Sequence, residues 1–129
     1  MILPDSSFWI EFFKLGSKVR FPNSLLAEEI WTAPPIIQEV LQGIRDEHTK
    51  INIQQIFESF RNTGNSVSIE EYIQAAELYR LARKNGKTIR SGVDCLIASI
   101  ALKHSLIVLH RDRDFTVLAK LSKLQTLQF

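Results

Sequence analysis

Two short apolar runs constrain this chain more than any other feature. Met1 to Pro4 and Leu106 to Leu109 are too brief for core helices and too apolar for a surface, so both read as buried strands. Each is followed at once by acid: Asp5 after the first, Asp112 and Asp114 after the second. Between them lie stretches with helical spacing of apolar residues. Short apolar strands separated by helices imply an α/β fold with a central parallel sheet covered on both faces, a three-layer α/β/α sandwich. A length of 129 residues suits a single domain over positions 1–129. The acids then stand at the carboxyl rim of the sheet, where open α/β folds bind their ligands.

The connecting segments give further expectations. Ser6 or Ser7 caps a helix carrying Phe8, Ile10, Phe12 and Phe13, which leaves the Asp5 carboxylate free. Asn23 or Ser24 caps a second helix with Leu25, Leu26 and Ile30, and Trp31 to Ala33 form a short strand. Pro34 and Pro35 open a third helix, which bears Glu39 and turns Ile36, Ile37, Val40, Leu41 and Ile44 inward. A fourth runs from about His48 to Phe60, followed by a turn over Asn62 to Asn65 and a short strand at Val67 to Ile69. Ser68 and Glu71 make a capping box for a long helix, and Asp94 lies in the first turn of another from about Ser91 to His104. Asp114 caps the final helix, leaving Asp112 as the freer ligand, and Leu127 to Phe129 form an edge strand.

Several chemistries drop out. One cysteine, Cys95, makes no internal disulfide and no thiolate zinc pattern. The five glycines are scattered and form no phosphate loop, and no G-x-S-x-G elbow accompanies His48, His104 or His110. No signal-peptide pattern or apolar run near the ~20 residues of a membrane span occurs, so a cytoplasmic protein without membrane contact is expected.

What remains is oxygen chemistry. Asp5, Glu39, Asp94, Asp112 and Asp114 without thiolates or clustered histidines suit a hard cation, Mg²⁺ in particular, held beside substrate phosphates. Activation of water for attack on a phosphodiester is the natural use of such a site. Each acid also has a plain structural reading: Asp5 as a helix cap, Asp94 as a complement to its helix dipole, Glu39 as a surface residue. The net charge of +2 is modest, but Arg80, Arg83, Lys84, Lys87 and Arg90 crowd one stretch, which suits either a nucleic-acid backbone or a solvated helix end. Trp9, Phe12, Phe13 and the helix from Ile51 to Phe60 exceed the needs of one small core, so an exposed patch there would serve a homodimer or another partner.

In order, Met1-Ile-Leu-Pro-Asp5-Ser-Ser7, Ile37-Gln-Glu39-Val-Leu-Gln-Gly43, Asp94-Cys-Leu-Ile-Ala98-Ser-Ile-Ala101 and Leu106-Ile-Val-Leu-His-Arg-Asp112-Arg-Asp114-Phe115 resemble the PIN-domain family, most of all its VapC-type toxins. The resemblance implies an α/β/α sandwich, Mg²⁺- or Mn²⁺-dependent endoribonuclease activity, homodimers, and a cognate antitoxin that blocks the site. By motif, Asp5, Glu39, Asp94 and Asp112 match the acidic quartet, Asp114 an accessory acid, and Ser7 a supporting hydroxyl. His110 adjoins the site, where it could touch substrate or support the metal, and stands where a Thr or Ser is usual. Pro4 removes a ladder donor beside Asp5. Two other readings stay open: a PIN fold that only binds RNA or a partner, and a phosphoacceptor receiver-like signalling domain.

Overall fold

The computed structural model describes residues 1–64 and 67–129. Its elements run β1 (Ile2–Pro4), α1 (Ser6–Phe12), a 3₁₀ turn (Ala27–Glu29), β2 (Trp31–Thr32), α2 (Pro34–Gln42), α3 (Glu47–Ser59), β3 (Arg61–Asn62), α4 (Ile69–Lys84), α5 (Gly92–His104), β4 (Ile107–His110), α6 (Arg113–Leu121) and β5 (Thr126–Gln128). Every strand pairing is parallel. β4 lies between β1 and β5, β2 pairs with β3, and a bridge from Ile2 to Ile30 joins the two sets in the order β3-β2-β1-β4-β5. Parallel pairing turns the carboxyl ends of β1, β2 and β4 to one rim.

The sheet is central because its strands cannot face water on either side. Leu3 and Val108 are fully buried, and Leu109 nearly so. Helices cover them in two groups: α1 packs on α2 and α2 on α3, while α4, α5 and α6 pack on one another. This is the expected α/β/α sandwich. α5 is apolar nearly all round, from Cys95 through Ala101, which is the pattern of a helix enclosed by other elements.

Pro4 keeps its place in the ladder opposite Leu109, and the N–H of Asp5 donates to the Leu109 carbonyl at 3.0 Å. Alternate residues of a parallel strand donate to the same neighbour, so the missing N–H of Pro4 breaks no bond to β4. The capping box also forms: the Ser68 hydroxyl donates to Glu71 Oε2 at 2.7 Å, and the Ser68 backbone N–H donates to the same oxygen. Lys103 of α5 reaches Glu71 Oε1 at 2.7 Å, tying the start of α4 to its neighbour.

Two expectations for the connecting segments need correction. The segment after Pro22 makes no helix beyond one 3₁₀ turn, closed by the Leu26 N–H donating to Glu29 Oε2 at 2.8 Å; Ile30 must be extended to bridge Ile2. Val67 to Ile69 is no strand: Ile69 opens α4 and is exposed, and the third strand is Arg61–Asn62. That strand is polar and two residues long, so it carries no alternation to read. Asn62 does make the expected turn contact, accepting from the Gly64 N–H at 2.6 Å, while Asn65 lies outside the described residues.

The surplus aromatics are buried to different degrees. Trp9 is fully buried, with ring centroids 5.2 Å from Phe57, 5.5 Å from Phe13 and 5.7 Å from Phe8, and Phe57 is 1% exposed. Trp9 and Phe57 thus join the core and fix α1 over α3, while Phe12, Phe13 and Phe60 are half-buried and Ile10, Ile51 and Ile56 are exposed. Replacing Trp9 by alanine should therefore cost about 3–5 kcal/mol in urea-induced unfolding. A loss below about 1 kcal/mol would show that the aromatic layer collapses around the cavity.

Candidate functional site

Asp5 follows β1 directly and is itself the N-cap of α1, which corrects the expectation that Ser6 or Ser7 takes that role. Its Oδ1 accepts from the Phe8 N–H at 3.0 Å and from the Ser7 hydroxyl at 2.6 Å. Ser7 thus supports the carboxylate from two residues away. Asp5 is 3% exposed, and burial pushes its pKa up to about 6 against the lowering effect of Ser7 and Phe8, with Asp112 and Glu39 adding to the rise.

Glu39 sits on the second turn of α2, positioned by the proline start of that helix. Its carboxyl is half-buried and raised in pKa by that burial, with Ser6 acting in the opposite direction. Oε1 is buried without a hydrogen-bond partner. Sequence alone gives no sign that Ser6 serves Glu39, because the pairing crosses from α1 to α2.

Asp94 lies in the first turn of α5 and is pushed up to about 7, first by burial and then by Asp112, Glu39, Asp114 and Asp5. One residue thus feels all four other acids of the rim. The ligand oxygens of Asp94, Asp112 and Asp114 fall within 4.8 Å of one another.

Asp112 and Asp114 exchange their expected parts. Asp112 is the cap of α6, its Oδ1 accepting from the Asp114 N–H at 2.9 Å. Asp114 is 1% exposed, and its Oδ1 is buried with no partner. The helix begins two residues earlier than the apolar pattern at Phe115 suggests, which turns Asp114 inward.

His110 is fully buried against Phe115, at 5.2 Å between ring centroids. Direct contact with substrate is therefore corrected: the ring is part of the core beneath the rim. Burial lowers its pKa, partly offset by Asp112, so it is neutral at ordinary pH.

The basic stretch divides. Arg80 pairs with Glu77 at 2.8 Å, and Arg83 lies over the Tyr79 ring at 5.9 Å, both on α4. Lys84 and Lys87 flank the end of that helix. Arg90 instead reaches the acids: Nη2 donates to Asp112 Oδ1 at 3.0 Å, and its backbone N–H donates to Asp114 Oδ2 at 2.9 Å. An open cleft of about 440 Å³ runs past Glu39, Gln38, Tyr72 and Val93.

The residues present fit a divalent cation. Two buried carboxylate oxygens, Asp114 Oδ1 and Glu39 Oε1, lack partners, the donor set is all oxygen, and the mutual repulsion at Asp94 is what a dication relieves. Asp94, Asp112 and Asp114 would hold it, with Asp5 and Glu39 alongside. Such an ion supplies Lewis-acid polarisation of a phosphoryl oxygen. The chain's own groups orient that site: Ser7 fixes Asp5, Ser6 engages Glu39, and the cap of α6 fixes Asp112.

A family model described as the PIN domain matches residues 2–121. The chain belongs to the PIN domain family. Along its whole length it is 36% identical to Ribonuclease VapC11 of Mycobacterium tuberculosis and to a VapC ribonuclease of Mycobacterium bovis, covering 99% of each. In fold, this PIN domain is similar to VapC20 of Mycobacterium tuberculosis, a Sarcin-Ricin loop cleaving toxin, with TM-score 0.73 and 20% identity over 97% of this chain and 99% of that one. It is also similar to VapBC2 of Rickettsia felis bound to a promoter DNA fragment, with TM-score 0.72 and 18% identity over 100% and 99%.

The PIN rim carries a stability cost with a definite sign. Asp5 and Asp94 bind protons more readily folded than unfolded, so their contribution favours folding at low pH and is lost as pH rises from the ordinary carboxylate range through about 6 and 7. In EDTA at pH 8, Asp94→Asn should raise the melting temperature by a few degrees. A lower melting temperature for that variant would mean that the carboxylate is stabilised by partners rather than crowded by charges.

Proposed function

We propose that residues 1–129 act as one PIN domain with the activity of a VapC-type toxin, a Mg²⁺- or Mn²⁺-dependent endoribonuclease that hydrolyses RNA phosphodiesters. The observation that carries this reading is the convergence of Asp5, Glu39, Asp94, Asp112 and Asp114 on one rim, with two buried oxygens lacking partners. The whole-length similarity to VapC ribonucleases supports RNA as substrate. Asp5, Glu39, Asp94 and Asp112 take the catalytic and metal-holding roles, Asp114 reinforces them, and Ser7 and buried His110 support from behind.

Arg80, Arg83, Lys84 and Lys87 are suited to the RNA backbone, since α4 and the loop after it lead toward Arg90 at the acids. The solved VapBC assemblies among similar folds support a cognate antitoxin as partner. A homodimer and a cytoplasmic location complete the reading. Among the described residues no helix is long and apolar enough to cross a membrane.

RNA incubated with the protein and sub-saturating Mg²⁺ or Mn²⁺ should be cleaved, with the rate rising as pH increases through about 6 to 7, because Asp5 and Asp94 must ionise before a cation binds. Asp5→Asn and Asp94→Asn should each lower cleavage at least about a hundredfold. Cleavage undiminished in both variants, or saturable RNA binding with no cleavage under any metal, refutes the nuclease reading and leaves a PIN fold that only binds. Ser7→Ala acts through Asp5 and should cost roughly 10–100-fold in metal affinity or activity, read by titration calorimetry and initial rates.

A further inference from the structure

We propose that Arg90 is a counter-ion built into the acidic rim, and that a divalent cation must displace its guanidinium from Asp112 and Asp114 in order to bind. The proposal rests on the metal-dependent reading of that rim. Arg90 holds the rim by two separable attachments. Its backbone N–H donates to Asp114 Oδ2 at 2.9 Å and fixes the main chain, while its side chain places Nη2 on Asp112 Oδ1 at 3.0 Å and Nε 3.7 Å from Asp114 Oδ2. The second attachment releases without the first, because the side chain is 62% exposed and leaves the rim by rotation of its own stem.

Asp112 and Asp114 are also two of the three acids whose ligand oxygens crowd within 4.8 Å. A guanidinium and a dication therefore compete for the same carboxylates. Three other cations are engaged elsewhere: Arg111 lies over Phe129 at 4.4 Å, Arg80 on Glu77, and Lys103 on Glu71. The chain thus carries its own partial neutraliser for charges that burial would otherwise make costly. Once displaced, the guanidinium remains tethered at the rim by the backbone bond, within reach of a phosphate bound beside it.

Competition fixes the signs of the test. Linkage requires that removing the guanidinium tighten metal binding by the same factor by which metal weakens the guanidinium's hold. By titration calorimetry at pH 7.5, Arg90→Gln should bind Mn²⁺ roughly five- to tenfold more tightly than the parent chain. Arg90→Lys keeps the charge without the fork and should fall between them. Thermal unfolding gives a second readout: Arg90→Gln should melt lower than the parent in EDTA, and saturating Mn²⁺ should narrow that gap. An arginine that only braces the structure would lower both melting temperatures equally. Unchanged or weaker Mn²⁺ affinity in Arg90→Gln, with Mn²⁺ bound by the parent, overturns this proposal alone. Absence of saturable Mn²⁺ binding to all three proteins overturns the metal-dependent reading and this proposal with it.

Discussion

Like-charge crowding at the carboxyl rim of a parallel sheet is the constraint that the rest of this fold accommodates. β1 and β4 are neighbours and run the same way, so the acids that follow them arrive at the same edge. α2 brings Glu39 and the start of α5 brings Asp94 to meet them. Asp5, Asp94 and Asp114 are all at least nine-tenths buried, and carboxylates so placed are tolerated only where other interactions hold the chain together. The aromatic layer of Phe8, Trp9, Phe13 and Phe57, and the wholly apolar strands Leu3 and Val108 to Leu109, supply that hold. Stability made in the core is spent at the rim.

Glu71 shows that the rim acids are not ordinary buried carboxylates. It is 3% exposed, as buried as Asp5, yet its pKa is held down at about 2 by Lys103 and by the hydroxyl and N–H of Ser68. Asp94, with no such partners, is driven up to about 7. Both sit in the first turns of neighbouring helices, so helix dipole alone does not distinguish them. Partners do. An acid whose oxygens are all answered joins α4 to α5, whereas an acid surrounded by its own kind marks a site that a cation completes.

Sequence made the frame legible where the signal was local or strongly apolar. The runs at Met1 and Leu106 announced buried parallel strands, proline placed the start of α2, and Ser68 with Glu71 announced α4, because each depends on residues a few positions apart. β3 escaped because Arg61 and Asn62 are exposed and polar, and only their pairing with Trp31 and Thr32 makes them a strand. The burial of Trp9 was not legible for a related reason: its covering surface comes from α3, far along the chain. Of the site, the five acids and Ser7 were visible, but Ser6 with Glu39 and Arg90 with Asp112 were not, since each pair forms across elements that sequence alone does not bring together.

The exchanged parts of Asp112 and Asp114 bear on how such acids are weighed. Treating a cap and a ligand as alternatives assumes that a carboxylate has one use. At Asp5, the Phe8 N–H and the Ser7 hydroxyl both fall on Oδ1. At Asp112, the Asp114 N–H and the Arg90 guanidinium again share Oδ1. In each case the capping bond falls on one oxygen and fixes the plane of the carboxylate, while at Asp112 the guanidinium adds a positive charge that a cation has still to displace. A rigid carboxylate with one oxygen committed to the protein is better prepared for a cation than one free to turn, because its orientation is set before the ion arrives. Capping is therefore part of how this chain builds its site: α1 and α6 begin where they do because Asp5 and Asp112 hold their first turns.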